Sequence, residues 1–320
     1  MSEPLKILLA APRGFCAGVD RAIEIVELAL ETQGPPVYVR HAIVHNRRVV
    51  AELEAKGAVF VEDESEVPEG ELLIFSAHGV APAVKERATA LGLETIDATC
   101  PLVTKVHYEA RQYAELGYSI LLIGHEGHQE VIGTMGNAPE SITLVQTPED
   151  VAALNLPDPD RVAYVSQTTL SIDEAAAIIA AIKERYPNAR GPRGDDICYA
   201  TQNRQDATKV LARRSDVVFV IGSETSSNSK RMVEVALGHG APAAYLIDDA
   251  YAIDERWLEG AATIGLTSGA SAPETLVEGV IARLQRRPGG AEVELLQVVE
   301  EDMHFALPAS MRRLPLAEVR

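Results

Sequence analysis

The sequence predicts an α/β protein made of several small, mainly parallel sheets, and three observations predict it. Short apolar runs alternate with polar turns and amphipathic helix-like stretches, the pattern of strand–turn–helix units that assemble into parallel sheets. That pattern recurs in three successive copies. Each copy carries one cysteine at the same place: Cys16 in Gly14-Phe15-Cys16-Ala17-Gly18, Cys100 in Ala98-Thr99-Cys100-Pro101, and Cys198 in Asp196-Ile197-Cys198-Tyr199-Ala200. The chain has 3 Cys in total. A three-fold repeat that delivers one thiol per copy can bring them to a single point.

The opening apolar run, 6–10, reads as a strand that joins a sheet built later in the chain, with the third repeat the candidate. Helix-like stretches follow the cysteines over 19–31, 103–116 and 201–214, and strands follow these over 36–40, 118–124 and 216–222. Each strand ends in a polar turn: His45-Asn46, His125-Glu126-Gly127-His128-Gln129-Glu130, and Ser226-Ser227-Asn228-Ser229. Further on, a second strand in each copy ends in Ser76-Ala77-His78-Gly79, Ser166-Gln167-Thr168-Thr169, or Thr267-Ser268-Gly269-Ala270-Ser271. Two of the helices that follow open with an S-x-x-E capping box, Ser171 with Glu174 and Ser271 with Glu274. In parallel α/β units the ligand site lies at the C-terminal ends of the strands. Each repeat therefore offers a cysteine and two polar turns at one edge of its sheet. The expected domains are 16–98, 99–195 and 196–287, the last joined by 1–15. Pro288-Gly289-Gly290 breaks the chain, and 288–320 reads as a tail with a strand-like run over 293–299.

With 320 residues, 47% hydrophobic and 24% charged, the chain has the composition of a soluble globular protein. No apolar run approaches the ~20 residues of a membrane span. The start, Met1-Ser2-Glu3-Pro4-Leu5-Lys6, lacks the basic and apolar regions of a signal peptide, so a cytoplasmic location is expected. The net charge of −18 repels nucleic acid over most of the surface, so an anionic ligand needs its charge met locally. An odd number of well-separated cysteines in a reducing compartment points to metal binding or catalysis rather than disulfides.

A cysteine at a helix N-terminus faces the helix dipole and unpaired amides, which favour the thiolate that binds metal. Any one of the three is equally a small buried apolar residue; three at matching positions, with cysteine nowhere else, favour a shared chemical role over that reading. Structural zinc sites use four Cys or His ligands in locally spaced pairs, and C-x-x-C is absent. Iron–sulfur clusters accept scattered thiolates and commonly use four. Three thiolates leave one iron open as a Lewis acid, so the count favours a catalytic cluster over an electron carrier.

His45, His78 and His128 occupy repeat-equivalent turns, where the third copy has Ser226, Ser227, Asn228 and Ser271. These are donors suited to phosphate oxygens in front of helix N-termini, although Ser226 and Ser271 also read as simple helix caps. Walker A is absent, which argues against a nucleoside triphosphate. Glu130 can relay protons to a nearby site, or serve only as a first-turn acid that suits the dipole. Thr168 and Thr169 can orient substrate or water, or merely reflect β propensity at a strand end.

Taken in order over about residues 6–282, the three cysteine segments, Val44-His45-Asn46, Ser76-Ala77-His78-Gly79-Val80, Gly124-His125-Glu126-Gly127-His128, Gly133-Thr134-Met135-Gly136, Ser166-Gln167-Thr168-Thr169-Leu170, Ser226-Ser227-Asn228-Ser229 and Gly269-Ala270-Ser271-Ala272-Pro273 resemble the 4-hydroxy-3-methylbut-2-enyl diphosphate reductases of the non-mevalonate isoprenoid pathway. The resemblance implies a three-lobed, pseudo-three-fold α/β fold around a [4Fe–4S] cluster held by Cys16, Cys100 and Cys198. It implies reductive removal of the substrate's terminal hydroxyl, bound to the open iron, by two electrons and two protons. The products are then isopentenyl and dimethylallyl diphosphate. His45, His78, His128, Ser226, Ser227, Asn228 and Ser271 would bind the allylic diphosphate substrate, with Thr168 and Thr169 beside it. Glu130, Thr168 and His128 would be catalytic. Where many members of that family have proline, residue 129 is Gln, which puts the rigidity of that turn in question. Flavodoxin or ferredoxin is the implied electron donor, with Arg13, Arg21, Lys105 and Arg204 as candidate docking cations. The chain is expected to be a monomer or weak homodimer. The competing readings are an iron–sulfur hydro-lyase, an iron–sulfur redox or iron sensor, and a zinc-stapled binding module. A sensor would normally carry an effector module, and no helix-turn-helix or basic tail is visible.

Overall fold

The computed structural model describes residues 4–313. From the N-terminus the elements are β1 (Leu5–Ala11), α1 (Ala17–Gln33), β2 (Val37–Arg40), α2 (Arg47–Ala55), β3 (Ala58–Val61), β4 (Leu72–Phe75), α3 (Pro82–Ala90) and β5 (Glu94–Asp97). They continue with α4 (Pro101–Glu115), β6 (Ser119–Ile123), α5 (Gln129–Met135), β7 (Ile142–Val145), α6 (Pro148–Ala153), β8 (Val162–Ser166) and α7 (Ile172–Arg185). The last group is α8 (Tyr199–Ala212), β9 (Val217–Ile221), α9 (Ser227–Gly238), β10 (Ala243–Ile247), β11 (Thr263–Ser268), α10 (Glu274–Gln285) and β12 (Ala291–Gln297).

The strands form three sheets, in the orders β10-β9-β11-β1-β12, β3-β2-β4-β5 and β7-β6-β8. Every pairing is parallel, so the α/β class with small parallel sheets is what the chain adopts. Parallel strands covered on both faces read as unbroken apolar runs rather than alternations. Thus Leu72–Phe75 and Val217–Ile221 are buried at every position. The chain divides into two compact units, one of Met1–Cys16, His45–Val49 and Tyr199–Met303, the other of Ala17–Val44, Val50–Cys198 and His304–Arg320. The five-stranded sheet belongs to the first; its core holds Ile7, Phe219, Ile221, Ile264, Leu266 and Val277. The other two sheets belong to the second, one packed around Leu73, Phe75 and Val84, the other around Leu121, Ile123, Val162 and Ile178.

β1 pairs with β11 in register from Lys6↔Thr263 to Leu9↔Leu266. On its other side it pairs with β12 from Leu5↔Ala291 to Ala11↔Gln297. The strand-like run in the tail is therefore an edge strand of the five-stranded sheet. The strands lie within a residue or two of the sequence expectation. The helices behind the cysteines begin two residues earlier than expected, because apolar periodicity is not yet established in a first turn. The second capping box does not form. Ser171 caps α7, its Oγ accepting from the Glu174 amide. At α10 the N-cap is Pro273, with no side-chain cap. Ser271 Oγ instead donates to the carbonyl of His45 at 3.0 Å.

Candidate functional site

Each cysteine stands directly in front of a helix. Cys100 is the N-cap of α4, and α1 and α8 begin at the residue after Cys16 and Cys198. All three are partly buried. The first-turn amides of a helix favour negative charge in front of them. Each cysteine amide donates to a carbonyl in a polar turn: Cys16 to Ala270 at 3.3 Å, Cys100 to Ala77 at 3.0 Å, and Cys198 to Thr168 at 3.1 Å. Those turns end β11, β4 and β8, so the sequence repeat is also a repeat in hydrogen bonding. Gly14, at φ +69 in the Cys16 loop, takes the left-handed conformation that glycine adopts without steric cost.

In the unit that holds Cys100 and Cys198, Glu130 lies in the first turn of α5 and is 2% exposed. Its Oε1 accepts from the Thr168 amide at 2.6 Å and its Oε2 from Thr168 Oγ1 at 2.9 Å. Burial pushes this carboxyl up to about 7, against the lowering effect of both bonds, and the charge of Asp196 adds to the rise. His128 caps α5, its Nδ1 accepting from the Glu130 amide at 3.2 Å. The neutral ring then carries its proton on Nε2, a donor. Gln129 is the first residue of α5, and the His128 cap forms across it. His78 meets His128 edge-on, with ring centroids 6.0 Å apart, and Ser76 Oγ lies 3.3 Å from His78 Nδ1.

Two groups missed from the sequence support this cluster. Gln167, 1% exposed, accepts from the His125 amide at 3.1 Å and donates to Thr169 Oγ1 at 2.8 Å, tying two polar turns together. Asp196 accepts from the Ser166 amide at 2.8 Å. Burial pushes its carboxyl up to about 6, opposed by Lys105. Gln167 lies inside a motif that sequence reading singles out, but nothing local marks it as a bridge; Asp196 shows its position only through the fold.

In the other unit, the carbonyl of His45 is held by Ser271, as noted. Ser226 caps α9, its Oγ accepting from the Ser229 amide at 3.3 Å. Ser227 and Asn228 follow in the first turn and are buried. Asn228 Oδ1, Thr267 Oγ1 and Ser268 Oγ are buried without a hydrogen-bond partner among the described residues. Polar atoms left so are costly, and a polar ligand at this helix start would satisfy them. The structure thus gathers Cys16, His45, Ser226, Ser227, Asn228 and Ser271 in one unit. The other holds Cys100, Cys198, His78, His128, Glu130, Thr168 and Thr169.

The four cations considered for donor docking do not form a docking patch. Arg204 is 0% and Arg21 is 7% exposed, Lys105 is bound to Asp196, and Arg13 is paired with Glu274. A helical cation in the sequence looks the same whether it faces water or buried carbonyls.

Among the described residues, no group of three or more His, Cys, Asp or Glu is gathered to hold a single metal ion. No described helix is long and apolar enough to cross a membrane. A family model described as LytB protein matches residues 7–285. The 4-hydroxy-3-methylbut-2-enyl diphosphate reductase of Acidothermus cellulolyticus is 59% identical over 308 residues, covering 96% of this chain and 90% of that protein. The protein of that name from Streptomyces coelicolor is 58% identical over 308 residues, covering 96% and 91%. Among solved structures, the E-1-hydroxy-2-methyl-but-2-enyl-4-diphosphate reductase of Plasmodium falciparum superposes with a TM-score of 0.94 at 40% identity, over 97% of each chain. Matched along most of its length by the family model and over more than nine-tenths of it by these relatives, the chain belongs to the LytB protein family.

Proposed function

We propose that this protein is an oxidoreductase that removes the terminal hydroxyl of 4-hydroxy-3-methylbut-2-enyl diphosphate. Two electrons and two protons enter; isopentenyl or dimethylallyl diphosphate and one water leave. The relatives' shared name supports the reaction. The observation that carries the chemistry is the buried Glu130–Thr168 pair.

Three partly buried cysteines, each before a helix and each with its amide held, suit an iron–sulfur cluster. A cluster takes one thiolate per iron, so its ligands need not converge on a single ion. Cys16, Cys100 and Cys198 would hold a [4Fe–4S] cluster, which supplies the electrons singly and a Lewis-acid iron at the position without a cysteine. The chain's own residues do the rest. Glu130, with its pKa near neutrality, holds a proton at carboxylate oxygens that touch Thr168, and the Thr168 hydroxyl carries it toward the substrate oxygen. Loss of hydroxide becomes loss of water. His128 presents an Nε2 donor beside this pair. His45, His78, Ser226, Ser227, Asn228, Ser271 and Thr169 would bind the diphosphate end, the first turn of α9 adding amides suited to an anion.

One sheet in each stretch supports a division into domains at 16–98, 99–195 and 196–287, with 1–15 joining the last and 288–320 as a tail. We place the enzyme in the cytoplasm, as a monomer or weak homodimer served by a flavodoxin or ferredoxin. The test is turnover of the named substrate by anaerobically purified protein with dithionite and a viologen mediator, wild type beside Glu130→Gln. Conversion to both five-carbon diphosphates by the wild type, and its loss in an equally iron-loaded variant, is expected. No turnover by fully loaded wild type would sink the reductase reading and favour a sensor.

A further inference from the structure

Three cations stand at equivalent places behind the three cysteines, Arg21 early in α1, Lys105 early in α4 and Arg204 early in α8. Each donates to the loop before another cysteine, and Arg204 Nη1 also donates to the Ala200 carbonyl of its own helix at 3.0 Å. Arg21 Nη1 donates to the carbonyls of Ala98 at 3.3 Å and Thr99 at 3.1 Å, the two residues before Cys100. Lys105 Nζ donates to the Gly194 carbonyl at 3.3 Å and to Asp196 Oδ1 at 2.8 Å, just before Cys198. Arg204 closes the series on the loop before Cys16. Its Nε and Nη2 donate to the Gly14 carbonyl at 3.2 and 2.7 Å, and Nη2 also reaches the Phe15 carbonyl at 3.3 Å.

A loop that delivers a ligand has carbonyls with no ladder to join, and buried carbonyls need partners. A guanidinium or ammonium can satisfy two of them at once. Burying such a charge is expensive unless it is paired and fully bonded. Residues beyond β12 complete the bonding of both arginines: Glu301 Oε1 lies 3.0 Å from Arg204 Nη1, and the Ala306 carbonyl lies 2.9 Å from Arg21 Nε. Lys105 has Glu109 at 3.4 Å as its further partner. One cation per ligand loop, always on the residues that precede the thiol, is an arrangement that packing alone does not require. Groups that hold the ligands of a metal site from behind typically govern how tightly the metal is kept.

We propose that Arg21, Lys105 and Arg204 are positioning residues for Cys100, Cys198 and Cys16 respectively, each ordering the loop that delivers the next thiol in a cyclic series. The proposal deepens the reading of the three cysteines as cluster ligands and rests on it. The test is amide hydrogen exchange by mass spectrometry on full-length, anaerobically purified wild type, Arg21→Gln, Lys105→Gln and Arg204→Lys. Iron and sulfide per chain, and the rate of iron loss to a chelator, are measured on the same samples. Exchange is expected to rise at 97–100 in Arg21→Gln, at 194–198 in Lys105→Gln and at 14–16 in Arg204→Lys, with the loop of the cation's own cysteine at the wild-type rate. Iron loss should be faster by about tenfold or more, and Lys105→Arg should restore what Lys105→Gln loses. Should buried Arg204→Lys fail to fold, Lys105→Gln, whose side chain is 33% exposed, decides the matter. Faster exchange at the cation's own cysteine or evenly along the chain, or wild-type iron retention in all variants, overturns the proposal. Wild type that takes up no iron and sulfide refutes the cluster reading itself, and with it the ligand role of the loops, whatever the exchange pattern.

Discussion

At Glu130 two physical effects oppose each other. Burial raises the carboxyl while two bonds from Thr168 lower it, and burial prevails, leaving the group at about 7. If the protonated form is the donor, turnover should fall as pH rises through about 7, and Glu130→Gln should lose at least ~100-fold with no such limb in its pH profile. Steady-state rates at matched iron content across pH 6–9 check this. The same shift has a consequence for stability. Between 4.5, its ordinary value, and about 7, the folded protein keeps a proton that the unfolded chain has released. Stability from this group is therefore full below 4.5, falls as pH rises through that window, and is flat above it. The stability of Glu130→Gln relative to wild type should be greater at pH 8 than at pH 5, read from denaturant titrations. An equal difference at both pH values would show that the carboxyl is not shifted.

At the level of elements, turns and caps decide where the polar side chains sit. Ser226 is a true cap, so Ser226→Ala should cost about 1 kcal/mol of stability. Ser271 is outside the start of α10, so Ser271→Ala should leave that helix intact; urea melts of the pair separate the two roles. The turn after β4 leaves no room at Gly79. Its φ is +77, and an added Cβ would lie 2.7 Å from His107 Cε1 and 3.0 Å from Thr99 Cγ2. Left-handed strain and overpacking then add, so Gly79→Ala should destabilise by about 2 kcal/mol or more. A neutral result would mean that the turn can relax away from α4. Burial lowers His107 itself to about 4, so above that pH it packs there as a neutral ring.

For the whole chain, the strand that follows Gly290 and the loop to Glu301 are structural. β12 covers one side of β1 along its full length, and Glu301 pairs with buried Arg204. Ending the chain after Gly290 strips β1 of one ladder and leaves a buried cation without its carboxylate, a loss on the order of 3–5 kcal/mol for the charge alone. The melting temperature should drop by at least about 5 °C, and scanning calorimetry of the truncated and full-length chains would show it. An unchanged melting temperature would mean that residues 291–320 are dispensable to the sheet.

The class of fold, the repeats, most strands and the cysteine-bearing segments were legible in the sequence, because they rest on local periodicity, turn chemistry and the rarity of cysteine. Other features depend on residues distant in the chain. That the Cys16 amide binds Ala270, that Ser271 leaves α10 uncapped to hold His45, and that Gln167 bridges two turns follow from which strand ends become neighbours. Arg21 and Arg204 read as candidate docking cations because a helical cation carries no local sign of what it faces, and only tertiary packing turned them onto the carbonyls beside the cysteines. Glu130 likewise has the sequence signature of an ordinary first-turn acid. It was packing that removed water from around it, and desolvation is a property of the assembled fold, not of any stretch of chain.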